Sequence, residues 1–207
     1  GQIEWAVSAA DHIATDSEAT RSDLIQLLGV PPNKITTIHL AAEPVHTFDY
    51  SSDQVDQTLE RLHLSRGFIL SVGTLEPRKN IPTLLRAYNQ LLESNQLEVP
   101  LVLVGSKGWI FDDIYATIDS LGLSRHVRFL SNLPDLELAH LYRAAGVLAF
   151  PSYYEGFGLP ALEAMHADCP VIVSDRGSLP EIVSEAAIIL DPSDVDGWAH
   201  SLTRVLT

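Results

Sequence analysis

Apolar residues in this chain gather into short continuous runs, separated by stretches in which apolar and polar positions recur at helical spacing. After Gly67 the alternation is regular. Phe68-Ile69-Leu70-Ser71-Val72-Gly73, Leu101-Val102-Leu103-Val104-Gly105, Val127-Arg128-Phe129-Leu130, Val147-Leu148-Ala149-Phe150, Val171-Ile172-Val173-Ser174 and Ala187-Ile188-Ile189-Leu190 each predict a strand. Between them the spacing predicts helices over 82–93, from the 106–108 loop to 121, over 135–144, over 160–165, and from 195 towards 206. A further short helix follows Ser178, where Ser178 and Glu181 have capping-box spacing. Strands that are apolar throughout are buried on both faces, as in a parallel sheet covered by crossover helices. The expected fold class is therefore α/β, a Rossmann-like domain with a mostly parallel sheet and helices on both sides. In such sheets ligands bind beyond the carboxyl ends of the strands. That singles out four loops: 73–80, 105–110, 131–135 and 151–159.

The pattern before Gly67 is weaker. His12-Ile13-Ala14-Thr15 suggests a strand, 18–28 a helix stopped by Gly29 and Pro31-Pro32, and 34–39 a second strand. A loose polar segment over 41–53 then precedes a short helix over 54–62. Residues 1–50 thus read as a separate, smaller α/β piece, and 51–207 as the principal domain.

Composition narrows the function classes. Hydrophobic residues make up 46% of the chain, enough for a real core. Asp and Glu number 27 against 13 Lys and Arg, a net charge of −14, which argues against a nucleic-acid surface. No run reaches the 18 or so apolar residues of a membrane span, and the N-terminus has neither an initiating Met nor signal-peptide layout. A cytoplasmic fragment of a longer protein is the expectation. The single Cys169 excludes an internal disulfide and a cysteine-built zinc site, and reads as a small buried hydrophobe.

Two strand-end loops carry candidate chemistry. Gly73-Thr74-Leu75-Glu76-Pro77-Arg78-Lys79-Asn80 places two adjacent cations in a chain with only three lysines, Lys34, Lys79 and Lys107. A guanidinium fork beside an ammonium suits a diphosphate; a solvated loop pairing with Glu76 is the plainer reading. The spacing is not that of a Walker motif. In the second loop, Gly156 and Gly158 would let backbone amides approach a ligand, and Pro160 fits a first helical turn, whose unpaired amides suit phosphate oxygens. Glu163 could accept hydrogen bonds from ribose hydroxyls and Glu155 from sugar hydroxyls. Alternatively, Glu163 is a favourable first-turn charge and Glu155 a surface carboxylate.

The segment Glu155-Gly156-Phe157-Gly158-Leu159-Pro160-Ala161-Leu162-Glu163 resembles the E-x-F-G-x-x-x-x-E signature of the family 4 retaining glycosyltransferases. Phe150-Pro151-Ser152, Pro170-Val171-Ile172, Gly177-Ser178-Leu179-Pro180-Glu181-Ile182-Val183 and the 73–79 loop fit the same family. The resemblance implies a GT-B fold of two facing Rossmann-like domains. Residues 1–50 would be a remnant of the first domain with its linker, and 51–207 the nucleotide-sugar-binding domain, truncated before its final return helix. It implies that Arg78 and Lys79 flank the diphosphate, Glu163 binds ribose and Glu155 the donor sugar. Backbone amides of Phe157, Gly158 and Leu159 would contact sugar or phosphates, with Gly73 and Thr74 at the diphosphate loop and Leu133 framing the base. Thr74 departs from the family, many of whose members have Arg there; Arg78 would supply that charge. The Gly-Thr-Leu-Glu-Pro-Arg-Lys-Asn form tilts the donor towards GDP-mannose, with a UDP-sugar next.

The implied reaction is hexosyl transfer with retention to a saccharide or lipid-linked acceptor. That acceptor would be held mainly by the absent part of the N-terminal domain, which would also make any membrane contact. This fragment alone would then be inactive. No cofactor or metal is implied, and Asp194-Val195-Asp196, although it has DxD form, reads as a helix cap beside Pro192. The histidines His12, His39 and His166 read as structural or surface residues. A GT-B sugar-nucleotide epimerase and a non-catalytic nucleotide-sugar-binding module remain open. A Rossmann oxidoreductase lacks its G-x-G-x-x-G.

Overall fold

Each apolar run predicted after Gly67 forms a strand, and the six pair in parallel. The computed structural model describes residues 1–94, 98–106, 108 and 112–207. The first part holds α1 (Gln2–Ala9), β1 (Ile13–Thr15), α2 (Glu18–Leu28), β2 (Ile35–Thr37), α3 (Pro44–Thr47) and α4 (Ser52–Leu62). The alternation follows: β3 (Ile69–Val72), α5 (Ile81–Glu93), β4 (Leu101–Val104), α6 (Asp112–Ser120), β5 (Val127–Leu130) and α7 (Asp135–Ala144). It ends with β6 (Val147–Phe150), α8 (Leu159–His166), β7 (Val171–Ser174), α9 (Leu179–Val183), β8 (Ile188–Leu190) and α10 (Val195–Leu206).

The six-stranded sheet has the order β5-β4-β3-β6-β7-β8. Successive side chains of a strand leave opposite faces, and the two cores follow from that. Ile69, Leu101, Leu103, Val147 and Ala149 pack with Leu84, Leu85 and Tyr88 of α5 and with Trp198 and Leu202 of α10. Leu70, Val102, Leu148, Phe150 and Val173 pack on the other face with Val55 and Leu59 of α4, Leu141 of α7 and Ala161 of α8. Each fully buried aliphatic side chain contributes about 1.5–3 kcal/mol. Cys169 belongs to the second core, where burial pushes its thiol up to about 12.

Asp194 caps α10 by accepting from the Gly197 amide at 2.9 Å, as expected for that segment. Two helices were not legible in the pattern. α1 has no buried residue and leaves Ile3 and Trp5 exposed, so no apolar stripe marks it. α3 lies inside the stretch expected to be loose. Four residues are too few for a helical period; Pro44 presets its first turn, and contact with α7 and α8 holds it. Before the main sheet, β1 and β2 form a small parallel pair with Ile13 opposite Ile35.

Candidate functional site

The strand order reverses between β3 and β6, so the loops leaving these two strands face each other at the topological switch point. They are stitched together. The Tyr153 amide donates to the Arg78 carbonyl at 2.8 Å. Asn80 Nδ2 donates to the carbonyls of Pro151 (3.1 Å) and Pro192 (2.7 Å), and Thr83 Oγ1 donates to Asn80 Oδ1. Asn80 holds the left-handed conformation at the start of α5, which its short polar side chain tolerates. Sequence reasoning assigned this residue no role.

Lys79 follows in the 3-10 turn Pro77–Lys79 and is 8% exposed. Its Nζ donates to Glu155 Oε1 at 2.7 Å and lies 4.7 Å from the centroid of the Phe150 ring, a cation–π distance. Arg78 reaches the other oxygen, NH1 to Glu155 Oε2 at 2.7 Å, and its NH2 meets Glu76 Oε1 at 2.6 Å. Burial works against the Arg78 charge, but Glu155 and Glu76 outweigh it and hold the guanidinium above its ordinary range. The pairing with Glu76 and the assembled cation site therefore occur together. A carboxylate compensates each cation. Close approach requires glycine at one neighbouring strand end: a Cβ on Gly105 would stand 2.0 Å from the Gly73 carbonyl oxygen.

Glu155 is 7% exposed, so the surface-carboxylate alternative fails. Its backbone is clamped by the turn after β7. The Ser178 amide and Oγ both donate to its carbonyl, at 3.1 and 3.0 Å, and Ser178 Oγ also donates to the Phe157 carbonyl at 2.7 Å. Ser178 consequently makes no side-chain cap on α9. Glu181, the other half of the expected capping box, instead accepts from the amides of Glu18 (2.9 Å) and Ala19 (3.2 Å), with His39 Nε2 at 2.5 Å. The first-turn amides of α2 carry positive dipole character that a carboxylate satisfies, so the tertiary partners win over the local one.

The two glycines of the signature differ. Gly158 begins α8 at φ +98, and a Cβ there would meet Leu179 Cδ2 at 2.6 Å. Gly156 needs no such freedom. Its carbonyl accepts from Ser17 Oγ at 2.6 Å, and a Cβ would find only ordinary contact with Asp16. Its carbonyl also accepts from Thr20 Oγ1 at 3.3 Å, which ties it to α2. The amides of Phe157, Gly158 and Leu159 donate to no acceptor among the described residues.

Glu163 lies in the second turn of α8, so the first-turn charge account does not hold. Its Oε2 accepts from Tyr142 Oη at 2.8 Å, and His46 Nε2 of α3 stands 3.6 Å from Oε1. Glu163, His46, Leu159, Asp135 and Leu138 line a cleft of about 320 Å³. Leu133 is half-buried and packs against the second core. Thr74 is exposed. Lys107 and residues 109–110 of the predicted loop 105–110 lie outside the described residues. Sequence reasoning missed Tyr142 and His46. The only signal was a tyrosine and a histidine in otherwise unremarkable helical contexts. A larger cleft of about 660 Å³, between α1 and α2, has walls that include Ile3, Leu24, Leu27 and Leu28. None of the paired cations lines it.

The profile of the family "Glycosyl transferases group 1" matches residues 59–207. The chain belongs to that family. It is 38% identical over 99% of its length to an O-antigen chain mannosyltransferase B of Escherichia coli, spanning 54% of that protein. It is 31% identical over 99% of its length to a D-inositol 3-phosphate glycosyltransferase of Mycobacterium sp. (strain JLS), spanning 46% of it. The chain thus spans about half the length of these curated relatives. Its fold matches the crystal structure of Anabaena Alr3699/HepE in complex with UDP and glucose, with a TM-score of 0.84 at 22% identity, covering 96% of this chain and 54% of that one. The architecture is the Rossmann-like α/β domain of GT-B glycosyltransferases, and no helix among the described residues is long and apolar enough to cross a membrane.

Proposed function

We propose that this chain is the donor-binding half of a retaining hexosyltransferase that uses a nucleotide-diphosphate sugar. The observation that carries the reading is the buried Lys79–Glu155 pair at the switch point, with Arg78 on the second oxygen of Glu155. In this reading the donor diphosphate takes over the two cations and the unpaired amides that open α8. Electrostatic stabilisation of the departing diphosphate is what such a constellation can supply. Glu155, released from one or both cations, accepts from the sugar hydroxyls, and Glu163 accepts from the ribose. The loop 131–135, including Leu133, frames the base, with Gly73 and Thr74 beside the phosphates. Residues 1–50 are the tail of an N-terminal domain that supplies the acceptor site, and the division near residue 50 belongs to the same proposal.

GDP-mannose is the first candidate donor, supported by the mannosyltransferase name of the 38%-identical relative; a UDP-sugar is second, since Alr3699/HepE carries UDP. Calorimetric titration with GDP-mannose, UDP-glucose and ADP-glucose tests the reading. Saturable binding of one of them, lost on Lys79→Ala, is expected. Failure of all three to bind would remove the proposal.

A further inference from the structure

Tyr142 is fully buried, and a buried phenol needs a hydrogen-bond partner. Tyr88, also fully buried, finds a backbone carbonyl, that of Val99 at 2.6 Å. Tyr142 instead donates to a carboxylate that borders a cleft, Glu163 Oε2 at 2.8 Å. Burial first, and the adjacent Glu163 next, hold its proton well above the ordinary phenol range, so the group stays a donor. The second oxygen of Glu163 faces His46 Nε2 at 3.6 Å. His46 is itself 4% exposed, and its ring meets that of Tyr142 edge-on with centroids 5.6 Å apart. Side chains from α7, α8 and α3 therefore converge on one carboxylate.

An ionised carboxylate offers about four lone-pair sites. The tyrosine occupies one, which leaves acceptor capacity for the cleft. Two neighbouring hydroxyls can be read by one carboxylate only if its plane is fixed, and fixing a first contact through buried supporting groups is how such geometry is held. We propose that Tyr142 and His46 are positioning residues that orient the Glu163 carboxylate towards a vicinal diol, the ribose 2′- and 3′-hydroxyls of the donor nucleotide. The inference rests on the nucleotide reading given above. It adds that selection for ribose depends on a histidine from the segment before the main domain.

The test is calorimetric binding of GDP and UDP and of their 2′,3′-dideoxy forms to the wild-type chain, Tyr142→Phe, His46→Ala and Glu163→Gln. The wild type is expected to prefer the ribose form by about 10- to 100-fold, the scale of hydrogen bonds to a charged group. Glu163→Gln should erase most of that preference. Tyr142→Phe should shrink it several-fold while affinity for the dideoxy form stays at the wild-type value, an outcome that general loosening of the fold does not give. Should Tyr142→Phe unfold, His46→Ala carries the same comparison. A ribose preference unchanged in whichever of the two variants folds overturns the inference and leaves the diphosphate reading standing. Wild-type binding without any ribose preference does the same. Failure of both nucleotides to bind wild type overturns the underlying reading and the inference with it.

Discussion

Lys79 Nζ and Glu155 Oε1 lie 2.7 Å apart although 76 residues separate them in the chain. One belongs to the loop after β3 and the other to the loop after β6, and both side chains are about nine-tenths buried. A buried pair of this kind offers its own charges to each other until a ligand carries competing charge. Its two members are therefore coupled in stability.

Removing one partner strands the other. Lys79→Met is expected to destabilise the chain by about 3–5 kcal/mol, the cost of leaving a buried charge unpaired, reduced where Arg78 shares the load. Adding Glu155→Gln to Lys79→Met should restore part of the loss. Urea denaturation of both singles and the double closes the cycle, and purely additive losses would show that the pair is not coupled.

Glu155 also allows the sugar and diphosphate contributions to be separated. Glu155→Gln removes a carboxylate charge while leaving the backbone clamp from Ser178 in place. Affinity for the sugar nucleotide is expected to fall about tenfold relative to that for the matching nucleoside diphosphate, one hydrogen bond to a charged group. Equal changes for both ligands in calorimetry would place Glu155 away from the sugar.

The glycines make a sharp contrast. Gly177 holds φ +58, and a Cβ would stand 2.5 Å from the Glu155 carbonyl oxygen. Gly177→Ala is expected to cost about 1–3 kcal/mol in unfolding free energy and to weaken nucleotide binding. Gly156→Ala meets only ordinary contacts and should fall within about 0.5 kcal/mol of wild type. Thermal unfolding of the two variants side by side checks the difference, and an equal cost would refute it.

Acid should loosen the tie between α2 and α9. Burial raises the Glu181 pKa, but the Glu18 amide, His39 and the Ala19 amide together outweigh it, and the net position is below its ordinary value of 4.5. A depressed carboxylate contributes stability that is fully present above 4.5 and is lost as pH falls through the lower folded value. Glu181→Gln should therefore lower the unfolding midpoint at neutral pH. The gap to wild type should close on the acid side of 4.5. A gap independent of pH would exclude the carboxylate as its source.

The hydrophobic pattern by itself determined the six strands, the helices between them and the parallel sheet, because strands such as Leu101–Val104 are apolar throughout and can only be buried on both faces. It also placed Arg78, Lys79 and Glu155 in loops at strand ends and Glu163 in the helix that follows, where loop composition and the signature spacing mark them. What it could not reach are contacts that close only in three dimensions. Ser178 and Glu181 have the spacing of a capping box, yet the tertiary partners Glu155, Phe157 and the α2 amides take their hydrogen bonds. Tyr142 and His46 sit 96 positions apart in helices with no shared period, and only the packing of α3 against α7 and α8 brings both to Glu163. Local periodicity is written along the chain. Partner choice among buried polar groups is decided by which acceptors the fold leaves within reach.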